Sequence, residues 1–256
     1  MKNKQLIFKL LAALAFVATT LVNPVLSADS SLSDIKDNGK LVVGVDIPYG
    51  VMEFYDKSGK AVGIDIDIAR EIASRLGVKM ELNPMPFSEL FKALKSGGVD
   101  IIVSAVTITP ERQQTMQFSV PYLDAGVSVA VKMDNMEIGS VEDLKNKQVG
   151  VLKGTVAEKL VAKSEHIAPS LVRRYKTNEK RIQDLLEGKI DAIVVHFLVK
   201  ESPTLKLVGE PLSQSYYGIV ARLNDNALMD DINRTLRELK RTGKLKAIIK
   251  KYINAK

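Results

Sequence analysis

The sequence predicts an α/β protein with two lobes, each a mostly parallel sheet flanked by helices. Short runs of β-branched and apolar residues alternate with amphipathic helical patterns from residue 41 to residue 105, and the alternation starts again after Gly126. This alternation favours a parallel sheet that is covered on both faces. A chain of 256 residues, 46% hydrophobic and 26% charged, has the composition of a soluble globular protein with a sizeable core.

The first cycle is defined by apolar strands and by glycines that end helices. Ile68, Ile72 and Leu76 form one helical stripe that stops at Gly77. A second stripe is expected to start at a Ser88 cap and to stop at a glycine pair, with Phe87, Leu90, Phe91 and Leu94 as its apolar face. The predicted elements are a strand at 41–45, a helix at 65–76, a strand at 79–82, the helix after Ser88 and a strand at 100–105.

The second cycle has the same pattern. A capping box is predicted at Ser140 to Asp143. The C-terminal segment, a strand at 217–221 and helices at 224–241 and 244–253, fits either lobe by pattern alone. The other predicted elements are strands at 127–131, 148–152, 171–175 and 191–195, a helix from Val156 and a helix at 179–187.

The N-terminus predicts a secretory signal peptide over residues 1–28. Lys2, Lys4 and Lys9 precede an apolar run from residue 10 to residue 22, and small residues follow up to Ala28. Basic, apolar and small segments in this order are typical of exported proteins. The run is short for a membrane span, and an uncleaved anchor is the alternative. We therefore expect a periplasmic or otherwise extracytoplasmic protein.

Composition excludes several kinds of chemistry. The chain has no cysteine, so it forms no disulfide and has no N-terminal Cys to carry a lipid. His166 and His196, the two histidines, lack the spacing of metal ligands, and we expect no metal and no cofactor. The formal charge of +7 falls to +4 once the signal peptide removes three lysines and no acid. This charge is mild and dispersed, so no nucleic-acid partner is expected.

The stretch DIIVSAVTITPER, from Asp100 to Arg112, is the predicted centre of binding chemistry. Its apolar run predicts a buried strand, while Thr109 and Pro110 suit the N-cap and first position of a helix. Small and hydroxylated residues at the strand end leave backbone N–H groups and hydroxyls open, and Arg112 adds a planar cationic fork. This pattern predicts a carboxylate receptor. The alternative is an ordinary strand-to-helix connection with a surface arginine.

Six segments in the same order carry a resemblance to a known family: GVDIPYGVMEF, GKAVGIDIDIAREIASRLG, DIIVSAVTITPERQQTMQFSVPY, VGVLKGTVAE, LLEGKIDAIV and LRELKRTGKLKAIIKKY. The chain resembles the periplasmic amino-acid-binding proteins of ABC importers, over essentially the whole mature length. The resemblance implies a two-lobed periplasmic-binding-protein fold with crossing segments near 124–127 and 214–218. Lobe 1 would comprise 29–126 plus 218–256, and lobe 2 would comprise 127–217.

The function that the resemblance implies is solute reception. A monomeric, non-enzymatic receptor would bind an amino acid or related small carboxylate in the cleft between its lobes. It would then deliver this ligand to the membrane subunits of an ABC importer.

The resemblance also implies which residues bind the ligand's α-carboxylate. Arg112 would be the bidentate partner, with Thr107 and the backbone at Ala105 as donors and Ser104 beside them. From the second lobe, the helix start at Gly154, Thr155 and Val156 would offer free N–H groups to the same carboxylate. An unliganded helix cap is the alternative for Thr155.

Three residues of lobe 1 are candidates for holding the ligand's side chain. Tyr49 and Phe87 occupy positions that flank the ligand in the resembling family, although Phe87 also fits a core position. An inward-pointing Asp46 would favour a basic amino acid, whereas a solvated turn residue would have no such effect. Asp65 and Asp67 match a structural helix start and are not candidates for the site.

His196 departs from the family's pattern. The resembling receptors place an aspartate there, which pairs with the ligand's α-ammonium. A neutral imidazole offers no counter-charge, and an unpaired ammonium in a closed cleft is costly. The ligand then lacks a standard α-amino group, or another acid supplies the charge, or the histidine responds to pH. A tolerated replacement at the lobe edge is the remaining alternative.

Two further functions stay open. Periplasmic enzymes of the cyclohexadienyl dehydratase type resemble these receptors, and His196 with a nearby acid could act as a general acid or base. A ligand-sensing receptor that reports to a membrane partner is the other possibility.

Overall fold

A computed structural model describes residues 31–124, 126–196 and 204–253 of the chain. The backbone of His196 is described and its side chain is not. The predicted signal peptide, residues 1–28, lies outside the described residues. Within the described ranges, no helix is both long enough and apolar enough to cross a membrane.

The first sheet has five strands, and four of them run in the same direction. Its order is β4, β1, β5, β14 and β6, with β14 antiparallel to both of its neighbours. The elements up to the first crossing are α1 (Ser31–Asp37), β1 (Lys40–Val45), β2 (Phe54–Tyr55), β3 (Ala61–Val62), α2 (Ile64–Leu76), β4 (Lys79–Pro84), α3 (Phe87–Lys95), β5 (Ile101–Ile102), α4 (Pro110–Gln113), β6 (Met116–Phe118) and β7 (Leu123–Asp124).

The second sheet also has five strands, in the order β10, β9, β11, β8 and β12, with β8 antiparallel to its neighbours. Its region contains β8 (Val127–Lys132), β9 (Val149–Leu152), α5 (Val156–Ala162), β10 (Val172–Tyr175), α6 (Asn178–Leu186), β11 (Ala192–His196) and β12 (Leu205–Ser213). Short 3₁₀ helices span Glu142–Leu144 and Pro169–Leu171. The last elements are β13 (Tyr216–Tyr217), β14 (Val220–Arg222), α7 (Asn226–Arg241) and α8 (Lys244–Ile253). The predicted two-lobed α/β fold is therefore confirmed.

Two segments connect the lobes, and they pair with each other. In the antiparallel ladder of β7 and β13, Tyr216 lies opposite Asp124 and Tyr217 opposite Leu123. The chain leaves the first sheet through β7 and returns to it through β13, close to the predicted crossings. The described strands of the second sheet all lie within 127–217, while the lobe boundaries themselves stay a prediction.

The C-terminal helices belong to the first lobe, which the sequence pattern left open. Buried apolar residues of α7 and α8 pack in one core with those of α2 and β1; among them are Ile68, Ile72, Leu228, Ile232 and Leu245. Helix α2 ends as predicted, because Gly77 adopts a left-handed conformation that closes the last turn.

Two predicted elements of the first cycle are wrong in detail. Ser88 does not cap α3: the helix starts at Phe87 after Pro86 and has no side-chain cap hydrogen bond. The strand predicted at 100–105 is reduced to Ile101–Ile102. The φ angle of Ala105 is 46°, in the left-handed region, and this turns the chain out of the sheet direction before α4.

Two later predictions also need correction. The predicted strand at 217–221 divides at Gly218, because Tyr217 pairs with β7 whereas Val220 pairs in the first sheet. At the predicted capping box, Asp143 accepts hydrogen bonds from the backbone and hydroxyl of Ser140, but Ser140 caps no α-helix. Only the short 3₁₀ helix follows it.

Candidate functional site

A small cavity lies between the lobes, and both lobes contribute to its wall. The wall includes nine of the eleven residues that the sequence indicated. Leu152, at the end of β9, was missed because a buried strand residue has no polar signature. The lining residues are Asp46, Tyr49, Phe87, Ser104, Ala105, Thr107, Arg112, Leu152, Thr155 and Val156.

Arg112 bridges the two lobes. Thr109 caps α4, its hydroxyl accepting the Arg112 backbone N–H at 3.2 Å, with Pro110 in the first turn as predicted. This cap holds Arg112 at the cavity. Its Nη1 donates to the Thr107 carbonyl and its Nη2 to the Gly154 carbonyl across the cleft, each at 2.8 Å.

The Arg112 cation is desolvated and has only neutral acceptors. Its guanidinium carbon lies 5.7 Å from the ring centre of Phe87 and 5.0 Å from that of Phe91. In the part of the chain that the structure describes, no acidic side chain forms an ion pair with it. Burial lowers its pKa to about 10, so it stays charged at neutral pH. A half-buried cation facing a cavity is suited to a carboxylate.

The prediction that the Ala105 backbone N–H donates to the ligand is wrong. That N–H donates to Oδ2 of Asp65 at 2.6 Å, because the left-handed turn at Ala105 directs it into lobe 1. The Ser104 hydroxyl is likewise committed, donating to Oε1 of Glu53 at 2.5 Å and accepting the backbone N–H of Asp46 at 3.0 Å. Both residues line the cavity without offering these groups to it.

Two buried acids, Glu53 and Asp65, therefore hold the cavity residues Ser104 and Ala105 in place through hydrogen bonds. Glu53 and Asp65 are each fully buried, and Asp65 also accepts the Tyr122 hydroxyl at 2.7 Å. Burial raises the pKa of Asp65 to about 7. Burial and the neighbouring Asp65 raise the pKa of Glu53 well above its usual range. Asp65 is structural, as expected, while the part played by Glu53 had no signal in the sequence.

The polar groups of the second-lobe wall mostly form hydrogen bonds within that lobe. The Gly154 N–H donates to Oε2 of Glu158 at 2.8 Å, so the prediction that it is free for a ligand is wrong. The Thr155 hydroxyl donates to the Leu152 carbonyl at 2.7 Å and accepts the Glu158 N–H at 3.2 Å. Glu158 therefore satisfies the Gly154 N–H with its side chain and the Thr155 hydroxyl with its backbone N–H. Gly154 meets the first lobe through its carbonyl, and Val156 contributes cavity wall.

Asp46 lines the cavity and is not a solvated turn residue. It is 5% exposed, and its Oδ2 has no hydrogen-bond partner among the described residues. Burial raises its pKa to about 6, opposed by the Phe87 backbone N–H and by the charge of Arg181. Phe87 is both core and cavity wall, because it packs edge-to-face on Phe91 at 5.4 Å and is 7% exposed.

The role of His196 stays a prediction. Its backbone pairs with Val127 at the end of β11, and its side chain lies outside the described part of the chain. Across the described ranges, no group of three or more histidine or acidic side chains is arranged to hold a metal ion.

Comparisons with known proteins give relatives and structural neighbours. The chain is 32% identical over 231 residues to the L-cystine-binding protein TcyJ of Escherichia coli, covering 88% of this chain and 86% of that protein. A crystal structure of a mutant ArgBP from T. maritima has 36% identity and a TM-score of 0.82, covering 88% of this chain and all of that one. AncCDT-1, an ancestral amino acid-binding protein and precursor of cyclohexadienyl dehydratase, has 32% identity and a TM-score of 0.81, with the same coverage.

A family model also matches most of the chain, from residue 41 to residue 255. The match spans both sheets, the crossing strands and every residue that lines the cavity. The chain belongs to the bacterial extracellular solute-binding proteins, family 3.

Proposed function

We propose that the protein is an extracytoplasmic receptor that binds an amino acid or related small carboxylate between its lobes and delivers it to an ABC importer. The observation that carries the proposal is the desolvated cation of Arg112, which faces the interlobe cavity and has only carbonyl acceptors. The signal peptide at 1–28, the extracytoplasmic location and the monomeric state are parts of the same proposal.

Closure of the lobes and ligand binding would be coupled through Arg112. A ligand carboxylate would compete with the Thr107 and Gly154 carbonyls for the guanidinium. Each charge-assisted hydrogen bond contributes about 1.5–3 kcal/mol net. Several such bonds, with burial of the ligand against Phe87 and Leu152, would supply roughly 8 kcal/mol, the free energy of micromolar binding.

The relatives support an amino acid as the ligand class. TcyJ is named for L-cystine, ArgBP is arginine-bound in another solved structure, and AncCDT-1 is described as an ancestral amino acid-binding protein. The names refer to different amino acids, so they do not indicate which ligand side chain this protein prefers. Asp46 alone would favour a basic one, because an ionised carboxylate in the cavity attracts a cation.

An enzyme of the cyclohexadienyl dehydratase type is the second candidate. It is favoured by the raised pKa of Asp46 in the cavity, since such shifts are common for catalytic acids and bases. Incubation of the purified protein with prephenate or arogenate and a search for the aromatic product would distinguish an enzyme from a receptor.

A thermal-shift screen tests the receptor proposal. We expect carboxylate ligands from a panel of amino acids, cystine and organic acids to raise the melting temperature, because a ligand that binds only the folded state stabilises it by about 2.7 kcal/mol at a hundred times Kd. Polyamines, which lack a carboxylate, should cause no shift. Stabilisation by polyamines alone would contradict the proposal.

Replacing His196 by Asp tests the residue that departs from the family's pattern. We expect His196→Asp to raise the affinity for α-amino acids by about tenfold, because a carboxylate supplies the counter-charge that imidazole lacks. Calorimetric titration of both forms measures this. His166→Asp, on the exposed second histidine, is the matched control and should change nothing. Equal affinity in wild type and His196→Asp would remove His196 from the site.

A further inference from the structure

Arg181, on α6 of the second lobe, is a buried cation that the site described so far does not use. It is 2% exposed. Its Nη1 donates to the Val194 carbonyl at 3.1 Å and its Nη2 donates to the Asn178 side chain, while its Nε has no hydrogen-bond partner among the described residues. A guanidinium with this degree of burial is costly unless opposite charge or acceptors compensate it.

Burial lowers the pKa of Arg181, and nearby groups of both lobes oppose this effect. Tyr49 and Asp46, two cavity residues of the first lobe, influence its ionisation, as does Tyr175 of its own lobe. Asn178 also donates to the Pro48 carbonyl at 3.4 Å, which brings the start of α6 against the loop after β1. Arg181 does not line the cavity itself; Asn178 links it to the loop that follows Asp46.

Asp46 and Arg181 carry opposite charges but do not form an ion pair. No contact within 4.0 Å joins the Asp46 carboxylate to the guanidinium, and Oδ2 of Asp46 and Nε of Arg181 both lack partners within the described ranges. Burial and the neighbouring Asp65 raise the pKa of Glu53, the nearby acid, well above its usual range, which favours its neutral form. Asp46 in the cavity wall and Arg181, which is not part of that wall, thus carry opposite charge, and each keeps an unsatisfied polar atom within the described ranges.

We propose that Arg181 is a specificity-determining residue, which balances Asp46 so that the cleft selects ligands whose distal end is polar and neutral overall. The inference rests on the proposed function, in which Arg112 takes the carboxylate at the other end. A carboxamide or a second zwitterionic head group both donates and accepts hydrogen bonds, and so satisfies both residues. A cationic end meets repulsion from Arg181, and an anionic end meets repulsion from Asp46. Arg181 thereby opposes the basic preference that Asp46 alone would favour.

Calorimetric titration with glutamine, glutamate and lysine tests this balance, because the three ligands share one α-amino acid head and differ in distal charge. Wild type should bind glutamine more tightly than the other two. Arg181→Met should shift the lysine-to-glutamine affinity ratio toward lysine by about tenfold or more, since a neighbouring charge has been removed. Arg181→Lys, which keeps the charge, should preserve the wild-type ratio.

A second variant and a control complete the test. Asp46→Asn should shift the preference toward glutamate, and this arm decides the matter if thermal unfolding shows that Arg181→Met does not fold. Lys180→Met removes a charge from the exposed side of the same helix and should leave all ratios unchanged.

Unchanged ratios in both Arg181→Met and Asp46→Asn, with carboxylate binding intact, would overturn the role of Arg181 alone. Absence of any amino-acid binding by wild type would overturn the proposed function as well.

Discussion

Arg112→Ala is expected to weaken binding of every carboxylate ligand by about 3 kcal/mol or more, roughly a hundredfold in Kd. The side chain is a partly buried cation that contacts the neighbouring rings of Phe87 and Phe91, and a lysine cannot reproduce its planar fork. The same substitution removes the hydrogen bond from Nη2 to the Gly154 carbonyl. Closure of the lobes should therefore weaken together with binding.

Titration calorimetry on three variants measures the effect. Arg112→Lys keeps the charge but cannot make two parallel hydrogen bonds, so it should fall between Ala and wild type. Arg234→Ala on the exposed face of α7 removes a comparable cation far from the cavity and should bind normally. Full affinity in Arg112→Ala would show that the carboxylate is bound elsewhere.

Glu53→Gln is expected to stabilise the folded protein at about pH 8 by roughly 2 kcal/mol, because it removes a charge from a fully buried position. The pKa of Glu53 is raised in the folded state by burial and by Asp65, so the folded state holds the proton more tightly than the unfolded chain. Stability is then unimpaired below the ordinary pKa of a glutamate. It falls as the pH rises toward the raised value.

The same reasoning fixes the pH profile of the wild type. Asp65 and Asp46, with pKa values raised to about 7 and about 6, act in the same direction as Glu53. Wild type should therefore become more stable on acidification from about pH 8 to about pH 5, and Glu53→Gln should flatten this slope.

Urea unfolding at several pH values measures both effects. Glu89→Gln, on the exposed face of α3, is the matched control and should keep the wild-type slope. A Glu53→Gln profile parallel to that of the wild type would mean that Glu53 is not the source of the pH dependence.

Much of the cavity was predictable because its residues lie in local motifs. Thr109, Pro110 and Arg112 are adjacent, and the helix start they form follows from capping preferences that act over a few residues. The strand-to-helix rhythm similarly predicted two sheets, since periodicity depends on near neighbours. The error at residues 103–105 arose because the left-handed turn at Ala105, and not residue type, ended the strand. At Ser88 the error arose because α3 starts one residue earlier, after Pro86, without a side-chain cap.

The sequence could not predict in the same way which polar groups of the cavity wall are free to bind a ligand. Whether Ala105 and Ser104 offer donors depends on Asp65 and Glu53, which are 40 and 51 residues away along the chain. Ionisation likewise depends on burial, and burial depends on which distant elements pack together.

Local patterns in the chain were thus sufficient for the two lobes, and the resemblance of six segments was sufficient for the family, while carboxylate binding by Arg112 stays a proposal. The tertiary structure assigned the remaining roles: Glu53 and Asp65 as buried supports, Gly154 as an acceptor, and Arg181 as a cation beside Asp46. The physical reason is that charge and hydrogen-bond balance in a cleft belong to groups that only folding brings within a few ångströms of one another.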